Sequence, residues 1–135
     1  HISELDLADN LLSDWTDVAE ILANFKNLVF LNLSNNLLNQ PLNDNNNQIN
    51  KKLDNTPLQL KKLVLNGNNV DWSAVLSLLA RMPCLEEVHL SANNLSDPGQ
   101  DSALKHPVLR QIYLSCNPIH DFSSVSLHLV ANCSR

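Results

Sequence analysis

The feature that most limits what this chain can fold into is a pattern that recurs five times along its 135 residues. Ile2-x-x-Leu5-x-Leu7-x-x-Asn10-x-Leu12 is followed by the same slots filled with Leu28, Leu31, Leu33, Asn36 and Leu38, then with Leu60, Leu63, Leu65, Asn68 and Val70. Two further copies hold Leu85, Val88, Leu90, Asn93 and Leu95, and Leu109, Ile112, Leu114, Asn117 and Ile119. Every slot is kept, and successive copies lie mostly about 24 to 26 residues apart, the period of a leucine-rich repeat. The expected fold class is therefore α/β: a curved leucine-rich repeat solenoid with parallel strands on its concave face and helices or irregular segments on its convex face. One leucine-rich repeat domain of about five repeats should occupy 1–135.

Each slot has a physical cause. In the alternating Leu-x-Leu, the apolar side chains point into the core while the intervening residues face solvent, because strand side chains alternate between faces. The Asn sits where the chain turns, and its amide can satisfy backbone groups that the turn leaves unpaired. Stacked copies should form a structural ladder of Asn10, Asn36, Asn68, Asn93 and Asn117. Stranding a backbone group by removing one would cost about 1 to 3 kcal/mol.

The segments returning from one strand to the next carry a second repeat. Asp14-Trp15 is followed by Val18, Ala19, Leu22 and Phe25, and Asp71-Trp72 by Val75, Leu76, Leu79 and Met82, at the same offsets. Asp121-Phe122 repeats part of this with Val125 and Leu129. The Asp stands where an N-cap belongs, and the apolar residues at i, i+3, i+4 and i+7 form one buried stripe. Helices are expected to begin at Trp15, Trp72 and Phe122. Both tryptophans head such a stripe, which assigns them to core packing with the indole N–H near the surface rather than to a binding hot spot. In the fourth repeat Asp97-Pro98 reads as a cap and first helical residue leading to Lys105.

Between the second and third copies the period lengthens to about 32 residues. The excess falls in Asn39 to Gln59, rich in Asn, Gln and Lys, which reads as a surface insertion of loop, mobile from Asp44 to Asn50. The pattern opens directly on a strand, and a further Leu-x-Leu strand is expected only beyond Arg135. Since a solenoid shields its end layers with polar terminal repeats, repeats are expected beyond one end or both.

Composition narrows the function. A formal net charge of −5 opposes gripping nucleic acid or an acidic membrane surface, both of which need clustered Lys and Arg. No window approaches the roughly 18 uninterrupted apolar residues of a membrane span. Cys84, Cys116 and Cys133 are odd in number and lack paired spacing, which fits reduced thiols in the cytosol. The N-x-S sequons at Asn32, Asn94 and Asn132 are what an Asn- and Ser-rich chain produces by chance. There is no HExxH, CxxC or GxSxG, and two glycines, Gly67 and Gly99, cannot build a phosphate-cradling loop. His120 with His128, and Cys84 with His89, lack ligand spacing. No enzyme, metal or cofactor is expected.

What remains is the concave face. Its outward positions are Glu4 and Asp6, Phe30 and Asn32, Lys62 and Val64, Glu87 and His89, and Gln111 and Tyr113. Phe30, Val64 and Tyr113 are large groups where polar ones would serve, which marks a protein contact surface, although such residues are also good strand formers.

The Asn ladder followed by a tryptophan that opens the return helix resembles the leucine-rich region of tubulin-specific chaperone E and its cofactor E-like relatives. The resemblance is carried by Ser3-Glu4-Leu5-Asp6-Leu7-Ala8-Asp9-Asn10 leading to Asp14-Trp15-Thr16-Asp17-Val18, and by Phe30-Leu31-Asn32-Leu33-Ser34. Lys62-Leu63-Val64-Leu65-Asn66, Trp72-Ser73-Ala74-Val75 and Leu85-Glu86-Glu87-Val88 extend it across nearly the whole chain, most weakly at Ser96 to Lys105 and in the last fifteen or so residues. The opening segment is closer to the E-like branch. In that family the region is flanked by a ubiquitin-like domain and, in chaperone E proper, by a CAP-Gly domain that reads the tubulin tail. The resemblance implies a cytoplasmic, cytoskeletal scaffold for tubulin heterodimer assembly or disassembly and microtubule regulation. Its partner would be tubulin, through the α subunit or the heterodimer, and the scaffold itself monomeric. Like charge makes an acidic chain a poor reader of acidic tails, so the folded body of tubulin is the expected target. Two rival readings are a leucine-rich regulatory subunit of a protein phosphatase, opposed by the Trp-x-x-Val repeat and the insertion, and an enzyme, opposed by the absence of a catalytic constellation.

Overall fold

Short strands that each bury one apolar residue can be stable only by stacking, and the chain stacks them in sequence order. In the computed structural model, β1 (Glu4–Asp6), β2 (Phe30–Asn32), β3 (Lys62–Val64), β4 (Glu87–His89), β5 (Gln111–Tyr113) and β6 (Val130–Asn132) form one parallel sheet. The structure describes residues 2–42, 48–53, 58–98, 106–120 and 130–132. Register never slips, so Leu5, Leu31, Leu63, Val88, Ile112 and Ala131 fall in one row across the sheet. Parallel neighbours require a crossover of a dozen or more residues, which is what each return segment supplies. This is the α/β leucine-rich repeat solenoid that the period requires.

The core is the set of repeat slots. In the second to fifth repeats all four apolar slots, three before the ladder Asn and one two residues after it, are buried, from Leu28 and Leu31 to Leu114 and Ile119. Burying each such side chain is worth about 1.5 to 3 kcal/mol. Leu5, Leu7 and Leu12 of the first repeat are half-buried and pack against this core from one side.

Helices α1 (Trp15–Asn24) and α3 (Trp72–Ala80) begin where the Asp-Trp pairs place them. The Asp14 carboxylate accepts the Thr16 N–H at 2.8 Å, and Asp71 accepts that of Ala74 at 2.8 Å, satisfying donors that a helix start leaves open. Trp15 is buried and its indole N–H donates to the Gln40 carbonyl; Trp72 is half-buried and donates to the Ser96 carbonyl. In both, the ring packs with the core while its N–H reaches the next return segment.

Three expectations change. The insertion is not loop throughout: Gln48–Leu53 forms a third helix, α2 in chain order, with Ile49 buried and Leu42 and Leu53 packed against the core. It contacts α1, and Lys52 pairs with Glu20 at 3.3 Å. α2 is therefore the return helix of the second repeat, and the long period comes from an Asn-rich lead-in to it. The next strand lies not beyond Arg135 but at Val130–Asn132, about 19 residues after β5 rather than the usual period. Asp97 and Pro98 are not helical; the Asp97 carboxylate accepts the His120 backbone N–H of the following repeat. The helix expected at Phe122, the fourth return segment from Gly99 to Lys105, and the segment from Asp44 to Asn47 lie outside the described residues. Among those described, no helix is long and apolar enough to cross a membrane.

Candidate functional site

The ladder asparagines are the first residues to place, because they fix how one repeat sits on the next. The Asn36 side-chain oxygen accepts the backbone N–H groups of Asn10 and Leu12, both at 2.9 Å, while its NH2 donates to the carbonyls of Leu7 and Leu33. Asn93 accepts from Asn68 and Val70 and donates to Leu65 and Ser91. Asn117 accepts from Asn93 and Leu95 and donates to Leu90 and Leu114, and Asn68 accepts from Leu38 and donates to Leu33. Each amide thus ties its own turn to the preceding one. The side chain of Asn10, in the first repeat, is exposed and donates to the Ala8 carbonyl of its own turn. The residue before each ladder Asn has a left-handed backbone: Asp9, Asn35, Gly67, Ala92 and Cys116, with φ between 56° and 69°. That conformation turns the Asn inward. A side chain on Gly67 would drive its Cβ into the Asn35 carboxamide oxygen.

With the turns fixed, the strand ends display the outward residues in two registered rows. One row is Glu4, Phe30, Lys62, Glu87 and Gln111; the other is Asp6, Asn32, Val64, His89 and Tyr113. All ten expected positions are therefore brought onto one sheet face, spanning about 19 Å across five strands at roughly 4.8 Å each. Glu4 and Asp6 are exposed and the other eight half-buried. Asp6 and Asn32 also hold their own turns, accepting the N–H groups of Ala8 and Ser34.

Repeat-by-repeat reading treats the outward residues as separate groups, whereas the structure joins half of them. The Lys62 ammonium lies 5.7 Å from the Phe30 ring centroid and 3.0 Å from Glu87 Oε2. The same oxygen is 2.6 Å from His89 Nε2, and the His89 ring stacks on Tyr113 with centroids 4.2 Å apart and planes 11° apart. An ionised carboxylate only accepts, so His89 Nε2 carries the proton in this contact. The His89 hydrogen bond does most to hold the Glu87 carboxyl below the usual glutamate range; burial opposes it and Lys62 reinforces it. Phe30, Lys62, Glu87, His89 and Tyr113 thus form a continuous ribbon of ring, cation, carboxylate, imidazole and ring. The signal was in the aligned slots, where Lys62 and Glu87 share one row and His89 and Tyr113 the other.

Among the described residues there is no group of three or more His, Cys, Asp or Glu side chains that could hold a metal ion. Cys84 and Cys116 are exposed free thiols, and the Cys133 side chain and His128 lie outside the described residues. His106, which the repeat pattern does not single out, is structural: its Nε2 lies 2.8 Å from the Met82 carbonyl, and its Nδ1 accepts the N–H groups of Val108 and Leu109.

No model of a known protein family matches the chain. The chain is similar to the human tubulin-specific chaperone cofactor E-like protein, at 34% identity over 93% of this chain and 28% of that protein. It is similar to human tubulin-specific chaperone E at 33% identity over its whole length, covering 24% of that relative. The cofactor E-like protein of Caenorhabditis elegans matches at 30% identity over 93% of this chain and 27% of its own length. The chain thus spans about a quarter of the length of these relatives, and the two branches match at nearly equal identity.

Proposed function

In sequence the chain belongs to the tubulin-specific chaperone E and cofactor E-like family, and from that premise we propose that it is the protein-binding scaffold of a tubulin-folding cofactor E-like protein. It works without catalysis, by holding a tubulin subunit during heterodimer assembly or disassembly, and so acts on microtubules from the cytoplasm and cytoskeleton. The observation that carries this reading is the similarity over 93% or more of the chain to proteins of both branches, each named as a tubulin-specific chaperone. The ribbon supports it by supplying what a protein contact uses: two half-buried aromatic rings, Phe30 and Tyr113, with charged and polar groups between them.

The surface assigned to the partner is the outward sheet face: Glu4, Asp6, Phe30, Asn32, Lys62, Val64, Glu87, His89, Gln111 and Tyr113. Its carboxylates Glu4, Asp6 and Glu87 outnumber its one lysine, Lys62, so the face is acidic and repels the acidic tails of tubulin. The folded body of the subunit, the α subunit by family expectation, is the fitting target.

Titration of this chain with αβ-tubulin and with tail-cleaved αβ-tubulin tests the reading. Binding is expected to survive tail removal and to be lost in a Phe30→Ala, Tyr113→Ala double variant that still unfolds cooperatively. Binding that requires the tails, or that ignores the double variant, would remove this face from the contact.

A further inference from the structure

We propose that Glu87 is the positioning residue of the outward face: its single Oε2 atom holds Lys62 on one side and His89 on the other, and so sets the arrangement in which Phe30 and Tyr113 meet a tubulin subunit. The proposal rests on the reading above that this face is the contact.

Lys62 is a long side chain with several rotatable bonds, and on a half-exposed strand it would sweep a wide arc at little energetic cost. Its ammonium is instead 3.0 Å from Glu87 Oε2 with the Phe30 ring 5.7 Å away, so its stem lies along the sheet between β2 and β4. His89 has a free choice of tautomer and ring rotation unless a partner fixes them. The 2.6 Å contact to the same oxygen fixes both, and the ring that results lies flat on Tyr113. One carboxylate therefore decides the placement of two mobile groups on two strands, and each of those touches an aromatic ring on the strand beyond. At 23% exposure the Glu87 side chain offers a partner less than Lys62 does at 42%. Its effect is exerted through its neighbours.

Ordering two side chains before the partner arrives removes an entropic cost that binding would otherwise carry, and losing that order should weaken the complex by about tenfold. The variants are E87A and E87Q, each titrated with αβ-tubulin, with the His89 ring observed by NMR in the free chain. In the parent, stacking on Tyr113 is expected to shift the His89 ring protons upfield, and the imidazole nitrogens to report one tautomer. E87A is expected to lose the upfield shift, to show mixed tautomers, and to bind about tenfold more weakly while still melting cooperatively. E87Q keeps an acceptor oxygen for both neighbours and should restore the stacking signature and most of the affinity. If E87A keeps the signature and the affinity, the positioning role is overturned while the contact face stands. If both variants lose affinity equally with the signature intact, Glu87 touches the partner itself and the role is likewise overturned. An unaltered chain that does not bind tubulin overturns the contact reading and this proposal with it.

Discussion

Asn93 accepts two backbone N–H groups of the third repeat and donates to two carbonyls, so it ties the third and fourth turns together directly. Stranding even part of that set costs about 1 to 3 kcal/mol for each group left unpaired. Asn93→Ala should therefore lower unfolding stability by at least about 2 kcal/mol, whereas Asn10→Ala, at an exposed position whose side chain bonds to its own turn, should stay within about 0.5 kcal/mol. Urea unfolding of the two variants checks the contrast. The hydrogen bonds from Thr16 hold the Asp14 carboxyl below its ordinary range, and those from His89 and Lys62 do the same for Glu87. A depressed folded pKa contributes stability above the unfolded value and loses it as the pH falls through the folded one. Melting temperature should thus decline as the pH drops below the ordinary carboxylate range, and less so in a combined Asp14→Asn, Glu87→Gln variant. The ladder was legible because one residue type recurs in one slot. The ribbon was less so, because alternation says which face a residue takes but not what its side chain reaches across two strands.

At the scale of elements, the helices beginning at Trp15 and Trp72 were written in the sequence twice over, by cap and by stripe, and α1 and α3 start at those residues. The second return helix was hidden. Its apolar anchors Leu42, Ile49 and Leu53 are diluted by asparagines and lysines, so composition pointed to a loop while burial of Ile49 at 6% exposure tells of packing. Ile49→Ala should accordingly cost about 2 kcal/mol or more, measured by thermal or urea unfolding, where a surface loop would absorb the change within about 0.5 kcal/mol. β6 was missed for a related reason. Ala131 occupies the register position that Ile112 holds in β5, and the spacing is shorter than the period, so neither the leucine slot nor the interval announced a strand.

For the whole molecule, stability in a stack of repeats is close to a sum of nearest-neighbour terms. Leu63 sits in the third layer at 1% exposure with layers on both sides, while Leu5 is half-buried against one. Leu63→Ala should cost about 2 to 5 kcal/mol and Leu5→Ala distinctly less, a gradient readable in melting temperatures. Such a frame explains why the fold followed from the period, and why the partner did not: the frame is common to many functions, and tubulin enters through the names of the relatives. On the proposed function, the outward sheet face, and not the helical side, meets tubulin. A photo-crosslinking residue placed at Val64, in the middle of the face, can be compared with one at exposed Ser73 on α3, each irradiated with αβ-tubulin. A tubulin adduct is expected from Val64 and none from Ser73. Adducts from Ser73 with none from Val64 would put the contact on the opposite side of the solenoid and contradict that assignment.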